Sequence, residues 1–490
     1  VRLFLAMRFP LAPDETYYWE WSRRPALGYY DQGPLVAWWM KLGTIPFGDT
    51  VLGVRFGTVL AAVFTQAAVY SLGARLFGPR VGLMGMLPLL ITPLGLAGGL
   101  TATYDPLVVM FWAVAMASAA RAVLSNCRGA WAVCGASVGF GLLSKHTMFL
   151  FLPAMLGWLA AGSSLRHWLR RPQPYLALLL ALAVFSPNLW WQSQNQWQTF
   201  GHLFLLTGKG LDQPFARRLG DFLGSQAAIL TPVLIVLLVA AAWQFRPRGR
   251  ILSSQGASVL FWMSVPLLML FTAMVAKSKV QANWAACAWL TPGIALAAAV
   301  ERKSGWWGRR QLWRLGCFSA LLLTLPVAMP EIRVLLHLPF PQKWDQMNKL
   351  YGGAELGAAI DRERMKMQQR TGRLPAVAST TYDLAARAAF YTSGRPAVRC
   401  LFVGTRDNSY RAFNRTADLQ EGGDAVVVDD RGPDDPLLPP FAKVFSKVEA
   451  APEVVVVYRR PLYTQPVRIS HLYRCYGYRP NPAVETPSGG

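Results

Sequence analysis

Long apolar runs separated by short polar turnarounds fill the first two thirds of the chain. Ten of them, at about residues 51–77, 81–100, 106–124, 130–143, 148–161, 175–191, 227–245, 257–276, 282–300 and 312–329, follow one another closely. Most approach the roughly 20 residues that a helix rising about 1.5 Å per residue needs to cross about 30 Å of hydrocarbon. The runs at 130–143 and 148–161 are the short pair. An eleventh run, residues 1–12, is too short to cross, so the first helix is expected to be clipped at its start or to begin upstream. The pattern predicts a multi-span α-helical membrane protein of about 11 spans within residues 1–330. From about residue 331 charged residues appear throughout and no run is long enough to span. Short apolar stretches at 376–379, 398–403, 425–428 and 454–458 read as buried strands, with a helix over 383–392. Residues 331–490 are thus expected to form a C-terminal extracytoplasmic α/β domain, with loops at 434–440 and 480–487.

The turnarounds assign the sides. Arg75 and Arg80, Arg121 and Arg128, then Arg166, Arg170 and Arg171 mark three of them. Arg246, Arg248 and Arg250 mark a fourth, and Arg302, Lys303, Arg309 and Arg310 a fifth. The positive-inside rule makes these five cytoplasmic. The opposite face then holds residues 13–50, the segment 103–106, the cluster 144–146, a loop over 186–225 and the stretch 277–281. Every unusual polar cluster falls on the side away from the cytoplasm. With the N-terminus inside, an odd number of spans places the C-terminal domain on that side too. The expected location is a membrane crossed many times, with these polar clusters and the C-terminal domain on the extracytoplasmic side.

Composition agrees. Of the 490 residues 53% are hydrophobic and 15% are charged, against about 25% charged in a typical soluble domain, and the mean hydropathy is +0.27. The net charge of +23 comes from basic clusters between apolar runs. It therefore points to membrane lipids and lipid-linked anions, not to nucleic acid. The six cysteines show no metal spacing. Cys400 and Cys475 could pair if the tail faces an oxidising compartment.

The first outer segment carries the densest chemistry. Asp14, Glu15 and Glu20 sit among Tyr17, Tyr18, Trp19 and Trp21, and are followed by Tyr29, Tyr30, Asp31, Gln32, Gly33 and Pro34. Interfacial anchoring explains the aromatics, whereas carboxylates beside hydrocarbon are costly and usually functional. Asp14 is the candidate base for an attacking hydroxyl, with Glu15 and Glu20 orienting it, binding substrate or holding a divalent metal cation. Asp105, before Pro106, reads either as a helix-start residue favoured by the macrodipole or as a second acidic site residue. A phosphate leaving group needs positive charge. Lys145, His146, Lys277 and Lys279 are available on that face, with His202 and Lys209, and Arg55 opens the next span. Snorkelling to the interface is the plainer reading of any one lysine. Asn188, Trp190 and Trp191, with Gln192, Gln194, Asn195 and Trp197, suit stacking on a sugar or an interfacial belt.

These motifs carry a resemblance. The segments 14–22, 28–34, 103–106, 142–147, 186–191 and 279–284, in that order and spacing, resemble bacterial glycosyltransferase family 39. That group is related to the protein O-mannosyltransferases and the lipid A aminoarabinose transferases. The resemblance implies a type C glycosyltransferase fold, with residues 1–330 as the transmembrane domain and residues 13–50 as its catalytic first external loop. It implies a polyprenyl-phosphate-sugar donor and an inverting single displacement onto a lipid, glycan or protein acceptor. Asp14 becomes the base, Glu15 a neighbour placing substrate and Asp105 a second acidic residue. Tyr30, Asp31, Gln32, Asn188 and Trp191 become substrate-binding residues. Relatives often carry a lysine at the position of Gln32, so its phosphate role passes to Lys145, Lys277 or Lys279. The rival reading, a polyprenyl-linked sugar or lipid transporter (a flippase), would place polar groups near mid-span on inverted repeats. The spans here are nearly free of charge at their middles.

Overall fold

The computed structural model describes residues 2–206, 211–246, 255–301, 307–337, 345–402, 407–431, 441–452, 454–456 and 468–481. Lys209, Arg248, Arg250, Arg302, Lys303 and the expected loop at 434–440 lie outside the described residues. By spatial proximity the chain divides into two compact units. One comprises residues 1–5, 32–39 and 55–332, the other residues 6–31, 40–54 and 333–490.

The first unit is helical, with helices in every expected apolar run from residue 51 onward. Four are long and apolar enough to cross a membrane: Val51–Phe77, Tyr104–Ser125, Pro172–Gln194 and Arg310–Ala328. Two bent pairs bring the number to six among the described residues: Phe215–Leu230 with Pro232–Gln244, and Ala282–Trp289 with Pro292–Glu301. Three further runs form shorter apolar helices, Pro79–Ile91, His146–Ala161 and Val259–Met274, and the run at 130–143 forms the 17-residue helix Arg128–Ser144. The expectation of about 11 spans therefore exceeds what length and apolarity alone give. Proline accounts for much of the difference. It supplies no N–H to the helix and pushes the residue before it out of the helical region. Thr92, before Pro93, is extended at φ −89° and ψ 158°. Thr231, before Pro232, takes φ 72°, where β-branched residues rarely go, at the 98° bend of its pair. The opening run yields only the seven-residue helix Arg2–Arg8.

The expected loop at 186–225 is mostly helix. Pro172–Gln194 continues through Asn188, Trp190 and Trp191, and Gln198–Leu206 and Phe215–Leu230 follow. The polar residues that suggested a loop keep helical spacing, so Phe185, Asn188 and Gln192 share one buried face.

The second unit is built on a sheet. Its strands are β1 (Ala376–Ser379), β2 (Arg399–Cys400), β3 (Ala425–Asp429), β4 (Phe445–Ala450), β5 (Val454–Val456) and β6 (Arg468–Tyr478). The order is β2-β1-β3-β6-β4, with β5 also on β6. β1 lies parallel to β2 and β3, while β6 runs antiparallel to β3, β4 and β5. Helix Tyr382–Tyr391 connects β1 to β2 as expected. Ala378, Val427, Leu401, Phe441, Tyr473 and Cys475 form the core on one face. Cys400 and Cys475 are buried free thiols. They stand on β2 and β6, three strand spacings apart, or about 14 Å at about 4.8 Å per strand. A disulfide requires Cα atoms within about 7 Å, so the possible pairing does not occur.

Candidate active site

Within the second unit the first outer segment folds as the helix Pro13–Arg23. Pro13 starts it without wasting an N–H, and Asp14 and Glu15 fall in its first turn, where the macrodipole favours carboxylates. The three carboxylates have different tasks. Glu15 is fully buried, and its Oε2 accepts from the Ala12 N–H at 2.8 Å, so it caps its own helix. Glu20, also fully buried, holds Arg23 at 2.6 Å and pairs with Arg24. Asp14 alone of the three is exposed.

The aromatics around them are packed within the same unit. Trp19 Nε1 donates to Asp49 Oδ1 at 2.8 Å, and its ring meets Phe390 edge-on at 4.9 Å. Tyr17 lies 4.9 Å from Tyr382 and stacks near Tyr410 at 6.2 Å. Its hydroxyl donates to Asp31 Oδ2 at 2.7 Å and accepts from the Ser409 N–H at 2.9 Å. Burial first, and the Asp31 charge second, push the Tyr17 phenol well above its ordinary value, so it remains a donor. Tyr30 is half-buried and Asp31 buried. Sequence reasoning passed over Tyr17 because a tyrosine in an aromatic-rich interfacial helix carries no distinguishing pattern.

Within the first unit a second arrangement forms around Asp105. Thr103 caps the helix Tyr104–Ser125, its hydroxyl accepting from the Asp105 N–H at 3.4 Å. The cap is therefore Thr103, which leaves the Asp105 carboxylate available elsewhere. Its Oδ1 accepts from Lys145 Nζ at 2.6 Å and its Oδ2 from Asn283 Nδ2 at 2.7 Å. Lys145 sits in extended backbone between the helix Arg128–Ser144 and the 3₁₀ turn His146–Leu150. Its ammonium lies 4.9 Å from the Tyr104 ring, and its side chain is 7% exposed against 18% for Asp105. The break is pinned by Ser144 Oγ, which donates to the Tyr104 carbonyl at 2.8 Å. Asn283 was not named as a site residue, although it lies in the 279–284 motif beside Trp284.

Next to Lys145, His146 Nδ1 lies 3.3 Å from Gln32 Oε1. Gly33 passes so close to the end of Arg128–Ser144 that a Cβ there would lie 2.1 Å from the Leu143 carbonyl oxygen. Gly33→Ala is expected to destabilise the protein by about 1–3 kcal/mol, the usual cost of overpacking. Thermal unfolding in detergent checks this, and an unchanged midpoint would contradict it.

The remaining predicted residues stand apart from this cluster in kind. Lys277 and Lys279 are exposed in the segment after Val265–Met274. Arg218, buried, donates to the carbonyls of Val275 and Ala276 at 3.1 Å and so fixes the start of that segment. Arg55 is 3% exposed near the start of Val51–Phe77, and Asn188 is fully buried. Trp191 is half-buried beside the exposed Trp190. Among the described residues no group of three or more His, Cys, Asp and Glu side chains could hold a metal ion. Both Asp105 oxygens already accept from a lysine and an amide, a donor set that does not fit a divalent cation.

A family model described as dolichyl-phosphate-mannose-protein mannosyltransferase matches residues 31–191, the stretch that carries Gln32, Asp105, Lys145 and Asn188. A lipid A galacturonosyltransferase from Rhizobium johnstonii is 26% identical over 82% of this chain and 79% of its own. An undecaprenyl phosphate-alpha-4-amino-4-deoxy-L-arabinose arabinosyl transferase from Edwardsiella ictaluri is 28% identical over 64% of this chain. There the match spans 61% of the relative's length, less than two thirds. The crystal structure of ArnT from Cupriavidus metallidurans bound to undecaprenyl phosphate superposes with a TM-score of 0.66 over 96% of both chains. At 16% identity that likeness speaks to the fold. In sequence and in fold the chain is thus similar to membrane glycosyltransferases of family 39, which have the type C fold.

Proposed function

We propose that the chain moves a sugar from an undecaprenyl-phosphate-type donor to an acceptor hydroxyl at the periplasmic face of a bacterial inner membrane. The transfer is one inverting displacement. The acceptor oxygen bonds to the anomeric carbon, its proton passes to Asp14, and the bond from that carbon to the phosphate oxygen breaks with its electrons on the phosphate. The phosphodiester of the donor becomes a monoester, so negative charge grows on the leaving oxygen as the bond breaks. A cation already in place gains most against that charge and accelerates the step. The observation that carries the reading is Lys145, held at a helix break by Asp105 at 2.6 Å. Asp105 and Asn283 position that lysine. In this reading residues 1–330 supply the transferase domain, residues 13–50 its catalytic loop and residues 331–490 a periplasmic domain, over eleven spans. Transport alone does not break the sugar–phosphate bond, so similarity to relatives named as transferases favours transfer over the flippase alternative.

The names of two relatives point to lipid A and to an undecaprenyl phosphate donor, which makes lipid A the first acceptor to test. Mass spectrometry of envelope lipids and glycans from a deletion strain should show lipid A lighter by one sugar. Loss of a sugar from a glycan or protein instead would replace lipid A as acceptor. An envelope in which no species loses a sugar would overturn the reading.

A further inference from the structure

We propose that a buried ring of side chains in the first unit is a subsite for the hydroxyl-bearing sugar of the donor, apart from the groups that meet its phosphate. The inference rests on the donor reading above. His146 follows Lys145 directly and turns its Nδ1 to Gln32 Oε1 at 3.3 Å. Its ring meets Phe200 at 4.8 Å and Phe185 at 6.2 Å, both edge-on. Phe185 and Gln192 lie two turns apart on the buried face of Pro172–Gln194. Gln192 Nε2 donates to Thr199 Oγ1 at 2.7 Å, and Thr199 precedes Phe200, which leads back to His146. Contacts therefore link Gln192 to His146 through Thr199 and Phe200.

This ring contains hydrogen-bonding capacity that the chain does not use. His146 is 8% exposed and Gln192 fully buried, yet His146 Nε2 and Gln192 Oε1 have no partner among the described residues. Gln32 Oε1 can only accept, so Nδ1 carries the proton of the neutral imidazole and Nε2 presents a lone pair. Gln192 Oε1 is likewise an acceptor. A buried acceptor left unmet costs about 1–3 kcal/mol, and folded interiors rarely tolerate it. The missing partner must therefore donate. An ionised phosphodiester has no hydrogen to give, which removes His146 from the phosphate-binding set expected from the sequence. A sugar has hydroxyls to donate, and its C–H faces pack on aromatic rings such as Phe185 and Phe200.

The test compares binding of two lipids to the full chain in detergent. One is undecaprenyl phosphate; the other is the same lipid carrying either 4-amino-4-deoxy-L-arabinose or galacturonic acid, the sugars in the relatives' names. His146→Phe and Gln192→Met each keep volume while removing an acceptor. Each is expected to weaken the sugar-bearing lipid by about tenfold, the worth of one hydrogen bond, and to leave bare undecaprenyl phosphate unchanged. Should one variant fail to fold, the other decides. Equal weakening of both lipids would return His146 to the phosphate and overturn the proposal. Unchanged binding of both would mean that the ring holds only water, and would overturn it too. If the wild-type protein binds neither lipid, the donor reading itself fails and this subsite falls with it.

Discussion

Lys145→Met should lower sugar transfer by about 10²–10³-fold, the usual effect of removing one preorganised group from a developing negative charge. The loss has two sources, and they can be separated. Methionine fills the space of the lysine stem but leaves the Asp105 carboxylate, 18% exposed, with only Asn283 of its two donors. Breaking a largely buried pair in this way costs about 3 kcal/mol or more, because one charge stays behind. The single variant is therefore expected to unfold earlier as well as to work poorly. Adding Asp105→Asn removes the stranded charge, so the double variant should recover most of the lost thermal stability. It should not recover transfer, because the cation that meets the phosphate is still missing. Thermal unfolding and turnover measured on the same preparations check both halves. A double variant that regains activity along with stability would show Lys145 to be structural.

Asp14→Asn is expected to reduce turnover by about 10²–10⁴-fold, the range for loss of a general base, with little change in folding. The structural argument is its contrast with Glu15 and Glu20. Asp14 is exposed on the first turn, where its charge gains a macrodipole interaction of about 0.3–1 kcal/mol, and asparagine keeps its size and one acceptor oxygen. Glu15 still caps Ala12 and Glu20 still holds Arg23 and Arg24, so the helix keeps its ends. Glu15→Ala should show the reverse balance, losing stability first. Turnover of purified Asp14→Asn near the wild-type level would remove Asp14 as the base.

What the sequence reveals here follows from which forces act locally. Apolar length and proline placement mark the helices, because a spanning segment must satisfy its backbone within itself. The polar outer clusters are visible because charge is rare in such a chain. Helix breaks are harder to see. Lys145 and Thr231 lie at junctions whose geometry depends on neighbours, such as Ser144 bonding to the distant Tyr104 carbonyl. Strand β6 was missed although it is the centre of the sheet's antiparallel part. Arg468, His471 and Arg474 interrupt it, and Arg474 is accommodated by pairing with Glu363 at 2.6 Å. β4 was hidden for a similar reason, since Lys447 and Glu449 pair with each other across its exposed side. At the site, Asp105 could be named in advance but not its partners, because 40 and 178 residues separate it from Lys145 and Asn283. Glu15 was the reverse case. Its partner, the Ala12 N–H, lies only three residues away on the same helix.

The most direct measurement is the fate of the donor lipid itself. Purified protein in detergent is given an undecaprenyl-phosphate-linked sugar and lipid A, and both lipids are followed by mass spectrometry. The account predicts that bare undecaprenyl phosphate accumulates in step with lipid A gaining one sugar, that the new linkage has inverted anomeric configuration, and that Asp14→Asn stops both changes. A donor recovered intact beside active, folded protein would contradict it, as would retained configuration in the product.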